Sequence, residues 1–135
     1  MACAELCAEA ALAAGDPVGP LHGVPIAIKD LMDMLAGVRN TFGCRVFEDF
    51  VPDTTATYVD RLEAAGAVIV GRTNLHEFAY GFSSENEWFG PVRNPWDTAT
   101  SPGGSSGGSA VAVRASTRST WYPSCRLSVL IIREI

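Results

Sequence analysis

The chain has 135 residues, 47% hydrophobic and 19% charged, and its 15 acids against 10 bases give a net charge of −5. That length suits one domain, the apolar share excludes wholesale disorder, and the acidity argues against nucleic acid as the main partner. Two finer counts divide the chain. Nine of the ten bases are arginine and one, Lys29, is lysine; all 13 glycines lie at or before Gly108. The first 110 residues carry six bases and 14 acids, whereas the last 25 carry four bases and one acid.

In chain order, the alanine-rich stretch 2–14 reads as a helix, ended by Gly15-Asp16-Pro17. A turn-rich approach from Gly19 to Gly23 leads into the apolar run Val24 to Ile28, a buried strand that delivers Lys29; Pro25 suits only its first residue or an edge. A turn of helix is expected from Asp30 to Leu35. A longer helix follows, with Asp53 or Thr54 as N-cap, one apolar face of Ala56, Val59, Leu62 and Ala65, and Gly66 as its stop. Ala67 to Gly71 then reads as a strand buried on both faces. Strand, helix, strand implies a parallel α/β sheet, whose functional groups gather at the strands' carboxyl ends. Lys29 and Arg72-Thr73-Asn74 follow the two strands and are expected at that end.

Residues 81–104 form a long loop with Phe82, Trp88, Phe89 and Trp96 as expected packing anchors. The run Gly103-Gly104-Ser105-Ser106-Gly107-Gly108-Ser109 comes next, before an apolar helix start at Ala110. Three readings of this run stand side by side: a flexible linker, a nest of backbone N–H groups for an anion or phosphate, and a catalytic loop in which such N–H groups and hydroxyls serve an oxyanion. It lacks the Gly-Lys-Ser/Thr of a P-loop. Lys29 is either a solvated lysine at a strand end or the base of a Ser–Lys pair, which needs burial to free its lone pair.

Cys3, Cys7, Cys44 and Cys125 form no CxxC pair and no zinc-ligand spacing with His22 or His76, so no metal site is expected and the thiols read as small buried apolar groups. The opening residues lack a basic n-region, and no apolar run reaches the ~20 residues of a membrane span. The expected location is the cytoplasm, away from membranes.

Four co-linear stretches carry a resemblance: GPLHGVPIAIKD (Gly19 to Asp30), RLEAAGAVIVGRTNLHEFAYG (Arg61 to Gly81), FGPVRNPWD (Phe89 to Asp97) and SPGGSSGGSA (Ser101 to Ala110). Together they resemble the amidase signature family of serine hydrolases, over roughly residues 15–113. The resemblance implies part of an α/β/α sandwich with a mixed sheet, truncated here. It also implies hydrolysis of carbon–nitrogen amide bonds by a Ser–cisSer–Lys triad without metal or cofactor. Lys29 matches the family lysine, which acts as general base and acid. Ser105 matches the middle serine on a cis peptide, with Gly103, Gly104, Ser106, Gly107, Gly108 and Ser109 as the supporting loop.

The family's nucleophile lies about two dozen residues further on, in a second glycine-rich loop. Here that region contains no glycine, and neither Ser124 nor Ser128 has a loop to position it, so the nucleophile stays unassigned. Residues 1–113 read as the N-terminal part of an amidase signature domain, and 114–135 as an atypical tail from a frame-shifted or aberrant reading. The expected partner is a small-molecule amide, with amidotransferase subunits if the chain is of that branch; His76 to Gly81 reads closer to the general amidases. His76 itself is expected to be structural. The functional alternatives are a non-catalytic truncated fragment and an anion-binding module.

Overall fold

A computed structural model describes residues 9–116. Expectations for Cys3, Cys7, Ser124, Cys125, Ser128 and most of the tail fall outside those residues. Residues 9–14 are helical (α1) and end at Gly15, whose φ of +73° suits a residue without Cβ. There Gly15 N donates to Leu12 O and Asp16 N to Ala11 O, the paired bonds of a Schellman stop.

Strand β1 runs Pro25–Lys29 and strand β2 runs Val68–Thr73. They pair in parallel, with Pro25 opposite Val68 and Lys29 opposite Thr73. A register shift between Ile26 and Ala27 brings Gly71, and not Val70, opposite Ala27. Pro25 begins its strand, where it removes no interior ladder bond. This pair is the whole of the sheet among the described residues, so the expected mixed sheet is represented by a parallel pair. In β1 only Ile28 is fully buried, in contrast to the expected buried strand. A strand covered on both faces needs a layer on each side, and among the described residues one helix makes the main contact with this pair.

That helix, α3, spans Gly107–Ser116 and contacts both strands. Between the strands lies α2, Thr57–Ala64. Of its residues Val59 and Leu62 are the least exposed, as the apolar spacing implies. Its N-cap is Ala56 with no side-chain cap bond, so neither Asp53 nor Thr54 caps it. Thr55 instead turns its hydroxyl to Ala36 N, and Ala56 N donates to Met34 O. At the other end Gly66 N donates to Glu63 O and Ala67 N to Leu62 O, repeating the stop used by α1.

Asp30 to Leu35 is not helical. Leu31 N turns back to Lys29 O, and the Asp30 side chain is drawn inward, away from any helical path. The 81–104 loop is irregular and ordered by polar side chains. Asn86 Oδ1 accepts from Trp88 N and Phe89 N, while its Nδ2 donates to Gly43 O. The expected aromatic anchors largely face solvent: Phe82 is 92% exposed and Trp96 65%. Trp88 and Trp96 are covered by the guanidinium groups of Arg45 and Arg114, a contact that leaves the rings wet. No helix among the described residues is long and apolar enough to cross a membrane.

Candidate active site

The carboxyl ends of β1 and β2 face the start of α3, and three polar contacts join them. Lys29 Nζ lies 2.8 Å from Ser105 Oγ and 2.8 Å from Ser106 Oγ. On the neighbouring strand, Thr73 Oγ1 lies 2.8 Å from Ser109 Oγ. Lys29, Ser105, Ser106 and Ser109, singled out from the sequence, thus converge on one corner. An ammonium would donate to both Ser105 and Ser106; a neutral amine has a lone pair and accepts from one of them. Burial lowers the Lys29 pKa, opposed by the Asp33 carboxylate, which raises it. Desolvation dominates, which moves the amine toward the form able to take a proton.

The Gly104–Ser105 peptide is cis. Ser105 O accepts from His76 N at 3.2 Å, so His76 holds the serine through its backbone. The His76 ring packs over Gly81, and its Nδ1 is buried without a partner among the described residues. The supporting segment differs from its expectation: Gly107, Gly108 and Ser109 are the first residues of α3, and only Gly103 to Ser106 remain outside the helix. Two glycines in a first helical turn cost stability, yet the packing requires them. A Cβ on Gly107 would lie 2.5 Å from Ser84 Oγ, and one on Gly108 would lie 2.3 Å from Asn74 O.

Sequence reading passed over Ser84. It is fully buried at a φ of +53°, its Oγ accepts from Gly107 N at 2.9 Å, and its carbonyl accepts from Val92 N. No spacing signal marks it, because its partners lie across the fold. A second group is polar and buried beside Lys29: Arg72 was expected at this end of the sheet, but the buried Asp30, Asn40 and Thr41 around it were not. Arg72 Nε donates to Asp30 Oδ1 at 2.9 Å, and Thr41 N donates to both Asp30 oxygens at 3.1 Å. Here a signal existed: an arginine closing an apolar strand needs a carboxylate partner, and Asp30 follows the parallel neighbour.

Two further groups titrate away from their ordinary values. The Cys44 thiol, free and buried, is pushed up chiefly by its hydrogen bond to Glu77. The Tyr58 hydroxyl is pushed up by burial and by its hydrogen bond to Asp33. Among the described residues no group of three His, Cys, Asp or Glu side chains is placed to hold a metal.

The family model for amidases matches residues 2–119. A glutamyl-tRNA(Gln) amidotransferase subunit of Acidothermus cellulolyticus is 52% identical over 107 residues, covering 79% of this chain and 21% of that protein. A solved structure of an amidase superposes with a TM-score of 0.73 at 44% identity, over 80% of this chain and 24% of that one. The corresponding amidotransferase subunit of Thermotoga maritima superposes at 0.69 with 47% identity, over 74% and 22% of the two chains. The chain therefore spans about a fifth of the length of the curated relatives it matches. A family match across most of the sequence, together with close likeness to solved amidases, shows that the chain has their α/β fold and belongs to the amidase (amidase signature) family.

Proposed function

We propose that this chain carries the lysine–serine relay of an amide-hydrolysing enzyme and does not turn over substrate by itself. The observation that carries the reading is the placing of Lys29 Nζ 2.8 Å from Ser105 Oγ, from a strand end 76 residues away in sequence. In the reaction, neutral Lys29 takes the Ser105 hydroxyl proton while Ser105 takes one from the nucleophilic serine. The nucleophile adds to the amide carbon; the protons return along the same path to the leaving nitrogen, the C–N bond breaks, and water releases the acid from the acyl-enzyme. Ser106 and Ser109 hold the corner through Lys29 and Thr73. The nucleophile stays unassigned, and no metal or cofactor has a part.

The substrate is a small-molecule amide. The amidotransferase names of the curated relatives favour that branch over the general amidases expected from His76 to Gly81, and with it subunit partners in the cytoplasm. The free thiol of Cys44 suits that reducing compartment. Residues 1–113 are the amidase part and 114–135 an aberrant continuation. Sequencing past the codon for Val113 tests this, since a continuous frame shared by related strains sinks it.

The test has two arms. Purified chain given an amide should release no ammonia above its Lys29→Ala variant; turnover lost with Lys29 would mean that the chain supplies its own nucleophile. A full-length amidotransferase subunit of the matching kind, carrying residues 15–113 of this chain in the corresponding place, should be active. It should lose at least 100-fold in rate (roughly the size of a general acid–base contribution) on Lys29→Ala or Ser105→Ala. An active chimera indifferent to both changes would overturn the reading.

A further inference from the structure

Lys29 ends β1, and its backbone is gripped from the neighbouring strand. Arg72 lies opposite Ile28 in the parallel register. Its Nη2 donates to Lys29 O at 3.4 Å and also to Asn40 Oδ1, while Nε donates to Asp30 Oδ1 at 2.9 Å. Asp30 N continues the ladder to Thr73 O at 3.1 Å, and Asn40 Nδ2 donates to Leu31 O at 2.9 Å. Three consecutive residues, Lys29 to Leu31, are thereby tied at successive backbone groups. The side chains that tie them are all buried: Arg72 is 4% exposed, and Asp30, Asn40 and Thr41 are 0% exposed.

A buried ion pair is a poor way to gain stability, since apolar residues of the same volume often do as well. Its worth here is geometric. A guanidinium is a planar fork that reaches a carboxylate and a carbonyl at once, which an ammonium does not match. The grip falls on the carbonyl of the residue whose side chain meets the two serines. We propose that Arg72, aimed by Asp30, Asn40 and Thr41, is a positioning residue that fixes the end of β1 so that Lys29 Nζ reaches Ser105 and Ser106. This rests on the relay reading above and adds to it the part that aims the lysine.

The single lysine makes the test direct. In the full chain labelled with 15N-lysine, one side-chain signal reports the titration of Lys29. Arg72→Gln removes the fork; the paired change Asp30→Asn with Arg72→Met removes both buried charges and keeps the volume. In wild type the midpoint should lie below that of free lysine. In either variant that still melts cooperatively it should move up toward free lysine, with acylation of Lys29 by an activated ester at pH 8 slowed several-fold. An unmoved midpoint in the cooperatively folded paired variant, which removes one charge of each sign, overturns the proposal, since a merely structural ion pair would leave Lys29 where it was. In Arg72→Gln the lost positive charge itself raises the midpoint, so there the slowed acylation is read against the paired variant. If Arg72→Gln does not fold, the paired variant decides by the same two results. A wild-type midpoint equal to that of free lysine would overturn the relay reading itself and the positioning role with it.

Discussion

Where β1 and β2 end, polar side chains are buried as deeply as the apolar Leu75: Asp30, Asn40, Thr41 and Thr73 are, like it, 0% exposed. A few residues further along, at Tyr80 and Phe82, large aromatic side chains are 91% and 92% exposed. This inverts the usual partition, in which Asp and Asn are mostly surface residues and Phe is among the most buried. The polar corner is closed because its groups find partners in other segments: Asp30 in Arg72 and Thr41, Thr73 in Ser109. The aromatic side is open: Tyr80 and Phe82 project into solvent. Order at the site thus rests on hydrogen bonds between distant segments as well as on buried apolar residues such as Ile28 and Leu75.

The sharpest way to break that contrast is Asp30→Ala. It leaves Arg72 charged, buried and without its carboxylate, which costs ~3–5 kcal/mol for a broken buried pair. Urea unfolding should show the loss of most of the cooperative transition. A cost under ~1 kcal/mol, the level of an exposed pair, would mean that water reaches the corner.

Next in size is Gly108→Ala. The added methyl meets the backbone oxygen of Asn74, which has no rotamer to yield. The expected cost is ~1–3 kcal/mol, that of overpacking, despite alanine's better helix propensity. Stabilisation instead would show that α3 stands off from the end of β2.

Much of this arrangement was legible in the sequence and some was not. The parallel pair, the stops at Gly15 and Gly66 and the apolar face of α2 follow from local periodicity and chain-reversing glycines. Lys29 and Ser105 came from motif resemblance, and a lone lysine among arginines drew attention to one of them. The start of α3 at Gly107 was hidden because glycine disfavours helix interiors, and only the close approach to Ser84 and Asn74 explains it. Asp30 to Leu35 escaped because its path is set by Arg72, 42 residues further on. The aromatics of the long loop were misjudged for one reason: their size promised burial, but the loop is held by Asn86, Ser84 and Asn94, whose Oδ1 accepts from Trp96 N and whose Nδ2 donates to Thr100 Oγ1.

A smaller effect has a definite sign with pH. Burial lowers the folded-state pKa of Lys29. Below that value both states are protonated, and the folded state bears the full cost of the desolvated ammonium. Between it and the ordinary lysine value of ~10.4, the unfolded chain holds a proton that the folded chain has shed, so stability rises with pH. Cys44 and Tyr58 act oppositely. Their folded values are raised, so their contribution is present below their ordinary values of ~8.5 and ~10 and is lost as pH climbs toward the folded ones. Subtracting the urea midpoints of Lys29→Met from those of wild type between pH 7 and 10 isolates the lysine. The difference should rise with pH; a flat one would place Lys29 in water, and a falling one would mean that the Asp33 carboxylate outweighs burial.

The smallest expected change tests the open side. Replacing Tyr80 and Phe82 together by serine removes two aromatic rings from solvent and touches no buried group. Folding stability should move by no more than ~0.5 kcal/mol, the range of surface substitutions. Solubility should behave otherwise. Exposed aromatic area favours association between copies, so sedimentation at rising concentration should show less self-association in the double variant. If stability fell by ~2 kcal/mol or more, the rings would be packed as anchors of the 81–104 loop. The contrast between a closed polar corner and an open aromatic side would then fail at its second half, while the Lys29–Ser105 contact stayed as it is.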